Sequence, residues 1–404
     1  MNDRAVSRPE RLFSYDFIVL TLAAAFGFCN IAVFYGFSAY LGRLGVDPAW
    51  WGPLLAAEPL AAFCLRPFLS LLVTPQNALS IARWSLVGLG AALGGYPLVH
   101  GVALLAVVRL CHGVAFVCLV SAVTALLAQA IPKSLAGRAF GYFSLSALVP
   151  YAVMPPLAEG LLPLLGREDR VYACCAVFVL PALALLAPLE RRLGRRAMAE
   201  VAGTSRPTLG QMRQTLAQPS VRLVLAANLC LFLSTTLIFF FIKPFASGLG
   251  LADPGLFFTV STAASIAVRV LAGAAYDKLP RETLLVAALL ALAGCIAGFA
   301  DTSGQGRLLA LAAGYGLCLG VAMPLANAIM FGLSKPAMRA TNLNLMLFMM
   351  DTAYVFGPLA GGALLATGAG YPTLFLIAAG CALAAGLLMA PLAVVGWRAL
   401  GKVR

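Results

Sequence analysis

Residues 269–281 read RVLAGAAYDKLPR. The stretch separates two long apolar runs and puts Asp277, Lys278 and Arg281 where the hydrophobic pattern breaks. Gly273 stands shortly before them. A glycine there lets two helices touch, and an aspartate at a helix start accepts orphan backbone N–H groups. The basic residues stay in water at the cytoplasmic membrane surface. The reading that fits all of these is a short polar turn between two spanning helices.

Composition extends that reading to the whole chain. Of 404 residues, 62% are hydrophobic and only 11% charged, and the mean hydropathy is +0.94. Apolar runs of about 20 residues recur throughout, long enough to cross a hydrocarbon core of ~30 Å. The class is therefore an all-α polytopic membrane protein. The run after MNDRAVSRPERLFSYDF is too long for the apolar core of a cleavable signal and reads as the first spanning helix.

The net charge of +13 does not imply a nucleic-acid partner, because the basic residues gather at alternate ends of the apolar runs. Arg8, Arg83, Lys133, Arg138, Lys335, Arg339 and Lys402 follow this rule, and Arg191, Arg192, Arg195 and Arg196 cluster after the sixth run. This bias puts both termini in the cytoplasm. The ten cysteines all lie in apolar runs without metal-ligand spacing and read as packing residues, so no metal or cofactor is expected.

Twelve helices are predicted. The first six cover roughly 15–41, 50–73, 79–99, 101–129, 138–163 and 170–189. The second six cover roughly 221–245, 253–276, 282–300, 307–332, 341–366 and 371–396. The expected organisation is an N-terminal bundle over 1–189, a basic cytoplasmic linker over 190–220 and a C-terminal bundle over 221–404. An internal repeat supports the halving: RPFLS at 66–70 pairs with RVLAG at 269–273, and HGVAF at 112–116 with LGVAM at 319–323. PPLAEG at 155–160 pairs with GPLAGG at 357–362.

Gly-x-x-x-Asp-Lys followed by a basic residue resembles the loop signature of the major facilitator superfamily, although Pro280 stands where that family usually has glycine. RLCHGVAF at 109–116 resembles the family's Arg-x-x-x-Gly signature, which proton-coupled members link to proton transfer. FGPLAGG at 356–362 is similar to the antiporters' Gly-Pro-x-x-Gly-Gly motif, here in helix 11 rather than helix 5. The copy of the loop in the first half has drifted, with Thr74 opposite Asp277 and Pro75 opposite Lys278. Residues 108–143 look closest to bacterial twelve-helix efflux permeases that export drugs, sugars and siderophores. The resemblance implies two pseudo-symmetric six-helix bundles, and helices 2 and 11 meeting where they touch.

Ionisable groups inside a spanning helix cost roughly 2.5–3.5 kcal/mol each on insertion scales, so they mark function or a partner. Arg109 lies ~12 Å into the fourth run and Asp351 ~15 Å into the eleventh. Arg109 either lines a cavity or fixes helix 4 by an ion pair; Asp351 is either a proton carrier or a hydrogen-bonding group beside GPLAGG. Glu58, in the second run, either shares the cavity with Asp351 or bonds beside Pro59. His112, nearly one turn from Arg109, is either a proton group or a packing residue.

Gly273, Asp277, Lys278 and Arg281 form the candidate gating loop, and Gly357, Pro358, Gly361 and Gly362 a helix-bending motif. Phe34, Tyr35, Phe240 and Asn327 are candidate cavity-lining residues. In the run Phe239–Phe241, three consecutive side chains do not share one helical face, so at least one packs away from any pocket. Glu159 and Lys243 read as interfacial charges, and Asp16 as a helix cap.

The function these residues suggest is secondary active transport. The expected form is proton-coupled efflux of a small organic molecule across a bacterial inner membrane by a monomer whose other partners are protons and lipid. A proton-driven importer of a sugar or organic acid, and a non-transporting receptor or scaffold, are the alternatives. An enzyme is excluded because no nucleophile–base pair is in evidence.

Overall fold

The computed structural model describes residues 12–47, 50–200, 208–248, 255–273, 276 and 279–401, and among these it holds helices and no strand. Twelve apolar helical segments follow one another. They are α1 Tyr15–Ala32, α2 Trp51–Leu72, α3 Ala78–Leu98, α4 Val102–Ala130, α5 Lys133–Leu165 and α6 Glu168–Leu189. The second set is α7 Pro219–Gly248, α8 Leu256–Leu271, α9 Arg281–Phe299, α10 Gln305–Leu333, α11 Pro336–Ala366 and α12 Tyr371–Val394. Eleven are long and apolar enough to cross a membrane; α8 is apolar but shorter. The expected helix over 253–276 therefore ends early, at Leu271, just before Gly273.

Local chemistry sets several ends. Ser14 caps α1 by accepting the Phe17 N–H at 3.2 Å. Asp16 is not that cap: it is buried and faces the Arg192 guanidinium at 3.6 Å. After α1 a 3-10 turn over Val33–Gly36 leads into a further helical stretch, Phe37–Arg43. Gly166 ends α5 at φ +75°, a conformation that favours glycine.

Most of the closely packed pairs are not successive: α1 packs on α5 and α6, α2 on α4, α7 on α11 and α12, α8 on α10 and α9 on α12, while α3–α4 and α9–α10 are successive neighbours. The apolar core of α7–α12 includes Leu231, Ile296, Leu325 and Phe375. Two further clusters sit in the first six helices, one around Leu86, Ala122 and Leu186 and one around Phe37, Leu54 and Tyr172. A fourth joins the two sets through Phe17, Leu127 and Phe140 on one side and Ala328, Phe331 and Leu343 on the other. Those residues lie at the face where the linker runs from α6 to α7, called here the linker face. The two sets also meet where α2 and α4 pack on α11, and where α5 packs on α8 and α10.

Glycine contacts give the true register of the repeat. A Cβ on Gly316 would stand 2.1 Å from the Ser261 carbonyl, and one on Gly320 would stand 2.9 Å from the Ser265 carbonyl and 2.2 Å from Val268. In the first half, a Cβ on Gly113 would stand 2.9 Å from Glu58 Cα and 3.1 Å from Ala61. Arg109 reaches the Leu54 carbonyl at 3.4 Å. One constant offset therefore relates Leu54 to Ser261, Glu58 to Ser265, Arg109 to Gly316 and Gly113 to Gly320. The same offset sets Arg66 opposite Gly273 and Arg269 opposite Ala62. Pairing RPFLS with RVLAG was one helical turn out, because the shared arginine outweighed the packing glycines.

Candidate functional site

The two sets of helices are joined near mid-depth by a buried ion pair. Arg66 on α2 clasps Asp351 on α11: its Nε donates to Oδ2, and one Nη donates to Oδ1 at 3.4 Å. The other Nη donates to Ser121 Oγ on α4 at 3.3 Å. Arg66 is 2% exposed, Asp351 5% and Ser121 fully buried. Three helices thus share one charge network. Each charge is tolerable in a low-dielectric interior only because the other is there.

Glu58 lies two turns along α2 from Arg66, roughly 10 Å from the Trp51 end at 1.5 Å per residue. It is half-buried and makes no hydrogen bond or ion pair among the described residues. Leu60 and Cys64, both exposed, lie on the opposite flank of α2, so Glu58 is turned away from the lipid side. Its backbone packs against Gly113 on α4.

Arg109 is buried inside the first six helices. Its guanidinium stacks over Phe37 at 4.5 Å and Phe34 at 4.9 Å. One Nη has no hydrogen-bond partner. His112 belongs to the same nest: its Nδ1 is 3.4 Å from Tyr96 Oη, its ring is 5.0 Å from Phe34, and its Nε2 is unpartnered. Tyr172 and Phe37 complete the cluster around Phe34. Phe34 is therefore an interior ring of the nest, not an open wall, and His112 points into the nest rather than toward Asp351. The Tyr35 side chain lies outside the described residues.

Phe239 and Phe240 on α7 are exposed, while Phe241 packs where a Cβ on Gly361 would fall. Both exposed rings stand 6.3 Å from Tyr354 on α11. Asn327 is half-buried and bonds only its own helix, at the Met323 carbonyl. Helix α11 continues unbroken through Gly357, Pro358, Gly361 and Gly362. Gly357 and Gly361 are close-contact points: a Cβ there would stand 2.4 Å from Thr236 Oγ1 and from Phe241 respectively. Gly362 faces open space.

At the linker face, Arg281 donates to the Ser134 carbonyl at 2.9 Å and to the Tyr276 carbonyl at 3.1 Å. Tyr276 is buried beside Gly141 and donates to the Gly320 carbonyl at 3.1 Å. Gly273 lies against the Arg138 side chain, and the Phe140 and Phe331 rings meet at 5.9 Å. The polar turn thus bridges the two halves here. Asp277 and Lys278 lie outside the described residues.

Sequence reasoning passed over Arg66 and Ser121. The cost of an ionisable group in a helix applied to Arg66 as much as to Arg109, but its place in the repeat drew attention away from its charge. Arg269 is likewise buried, with Gly320 and Leu319 carbonyls as partners at 3.3 and 3.4 Å. The serine carries no signal of its own in sequence.

Twelve apolar helices in two groups with an ion pair between them define a membrane transporter fold of the facilitator type. The family model described as Major Facilitator Superfamily matches residues 20–306 and 224–396, so the chain belongs to that superfamily and is a transporter, not an enzyme. Solved structures show the same fold at low identity. A bacterial homologue of the iron transporter ferroportin in an outward-facing state matches at TM-score 0.75 and 13% identity, covering 95% of this chain and 99% of its own. The E. coli fucose:proton symporter FucP matches at 0.69 and 14%, covering 94% and 99%. The human organic anion transporter MFSD10 matches at 0.69 and 15%, covering 93% and 99%. No curated protein matches by sequence.

Proposed function

We propose that this transporter couples proton movement to export of a small organic molecule across a bacterial inner membrane, acting as a monomer. The observation that carries the reading is a partly buried Glu58 with no hydrogen bond or ion pair among the described residues, two turns along α2 from a buried Arg66–Asp351 pair that joins the two halves. Asp351 already has a tight partner. The exchangeable role therefore falls to Glu58, which alternates between a proton and substrate. The Arg66–Asp351 pair holds the halves together while Glu58 is loaded.

Basic residues crowd the linker face, which makes it the cytoplasmic side under the positive-inside bias. The halves are in contact there through Arg281–Ser134 and Phe140–Phe331. Rocking of one bundle against the other about the mid-depth pair moves access to the opposite side. The superfamily's GPLAGG-like motif in α11 favours export over import.

The test is substrate-driven proton flux in proteoliposomes loaded with a pH-sensitive dye. Glu58→Gln is expected to abolish coupled proton movement and to slow substrate counterflow, since the same carboxylate receives both. Full coupling in that variant overturns the assignment of Glu58. Accumulation in right-side-out but not inside-out vesicles overturns export in favour of import.

A further inference from the structure

We infer that Arg269 and Tyr276 latch a hinge in α10 at Pro324 and so hold the seam between the halves shut at the linker face, a device that requires the transporter fold but neither Glu58 nor a particular substrate. Pro324 lies inside α10 and is buried. It has no backbone N–H, so the Gly320 carbonyl one turn earlier lacks its helical donor. Two side chains replace that donor. Tyr276 Oη donates to the Gly320 oxygen at 3.1 Å, and Arg269 Nε donates to it at 3.3 Å. One Nη of Arg269 also donates to the Leu319 carbonyl at 3.4 Å and lies 3.9 Å from Met323 Sδ. Arg269 and Tyr276 are each only 2% exposed, so water does not take over these bonds.

The proline divides α10 into two parts with different attachments. Before it, Gly316 and Gly320 hold the helix against Ser261 and Ser265 of α8. After it, Ala328 and Phe331 pack across the seam on the first half. A bend at Pro324 therefore carries the seam residues away while the earlier part stays on α8. Tyr276 touches both sides of this arrangement. Its hydroxyl is on the hinge carbonyl and its ring lies beside Gly141 of α5. Its own carbonyl accepts from Arg281, which also donates to the Ser134 carbonyl of the first half. Parting of the halves strips Gly141 from the ring and Ser134 from Arg281, and so loosens the hydroxyl that holds the hinge. The first half is built differently. The repeat sets Val117 opposite Pro324, Ala62 opposite Arg269 and Leu69 opposite Tyr276. There α4 runs from Val102 to Ala130 with no proline inside it.

The experiment measures opening of the seam in full-length protein free of native cysteines and held in nanodiscs, where both faces meet water. Ala328→Cys places a thiol on the hinged part, at a position fully buried while the seam is closed. The rate at which a hydrophilic maleimide labels that thiol reports opening. Tyr276→Phe removes only the hydroxyl and is expected to raise the rate about three- to tenfold, the effect of losing one hydrogen bond. Pro324→Ala returns an N–H to the Gly320 carbonyl. In that background Tyr276→Phe is expected to change the rate less than twofold. Pro324→Gly supplies the same N–H and takes its place if Pro324→Ala does not fold. Tyr371→Phe, at the opposite face, should leave the rate unchanged, and thermal melting and elution volume check each variant.

A Tyr276→Phe rate within twofold of the parent, or a rise of equal size with and without Pro324, overturns the latch. Either result leaves proton coupling at Glu58 standing, and failure of coupling at Glu58 leaves the latch standing.

Discussion

At the scale of single residues, the decisive contrast is between two carboxylates. Asp351 is enclosed by Arg66 and shares its network with Ser121. Glu58 has no such partner among the described residues, although it too lies within a spanning helix. Removing one member of a buried pair strands the other charge, at a cost of about 3–5 kcal/mol. Arg66→Met alone is therefore expected to lower the melting temperature in detergent markedly. Arg66→Met combined with Asp351→Leu should be less damaging than the single change, and a double-mutant cycle on melting curves reads the difference. Arg109 answers to different physics: its planar guanidinium sits over two phenyl rings, which an ammonium does not reproduce. Arg109→Lys is expected to cost roughly 1–2 kcal/mol in the same melts despite its unchanged charge.

At the scale of elements, small residues decide how closely helices approach. Ser261 and Ser265 on α8 face Gly316 and Gly320 on α10, a spacing that brings backbones into contact. The equivalent pair in the first half, α2 and α4, carries Glu58 and Arg109 in place of Ser265 and Gly316. One half thus has a tight small-residue seam where the other has its charges. Gly316→Ala drives a methyl into a backbone carbonyl and should cost about 1–3 kcal/mol. Helix α11 contains its own control. Gly361→Ala meets the Phe241 ring and should destabilise, whereas Gly362→Ala enters open space and should be neutral or stabilising by up to about 1 kcal/mol through helix propensity. Helix spans were legible in sequence to within a few residues for most elements, because run length in an apolar chain reports the membrane directly. The register of the repeat was not, since it depends on which small residues meet.

At the scale of the molecule, the halves are fastened at the linker face by Arg281 with the Ser134 carbonyl, by Tyr276 beside Gly141 and by Phe140 against Phe331. Alternating access requires these contacts to break. In a background free of native cysteines, joining Ser134→Cys to Arg281→Cys with a short bis-maleimide is expected to stop counterflow. Substrate binding from the opposite face should survive the cross-link, as measured on the same sample. Continued counterflow in the cross-linked protein would show that the two halves need not part at this seam.

The chain's residues alone determined that it crosses a membrane about twelve times, that it is built from two related halves, and that Glu58, Arg109 and Asp351 stand where charge is costly. Those properties are local: they follow from the length of apolar runs and the price of desolvating an ion. Only the tertiary structure decided that Asp351 belongs to Arg66, that His112 and Phe34 enclose Arg109 in an aromatic nest, and that Glu58 is left without a hydrogen-bond or ion-pair partner among the described residues. Partner choice between groups nearly three hundred positions apart depends on helix rotation and close packing, which hydropathy does not encode.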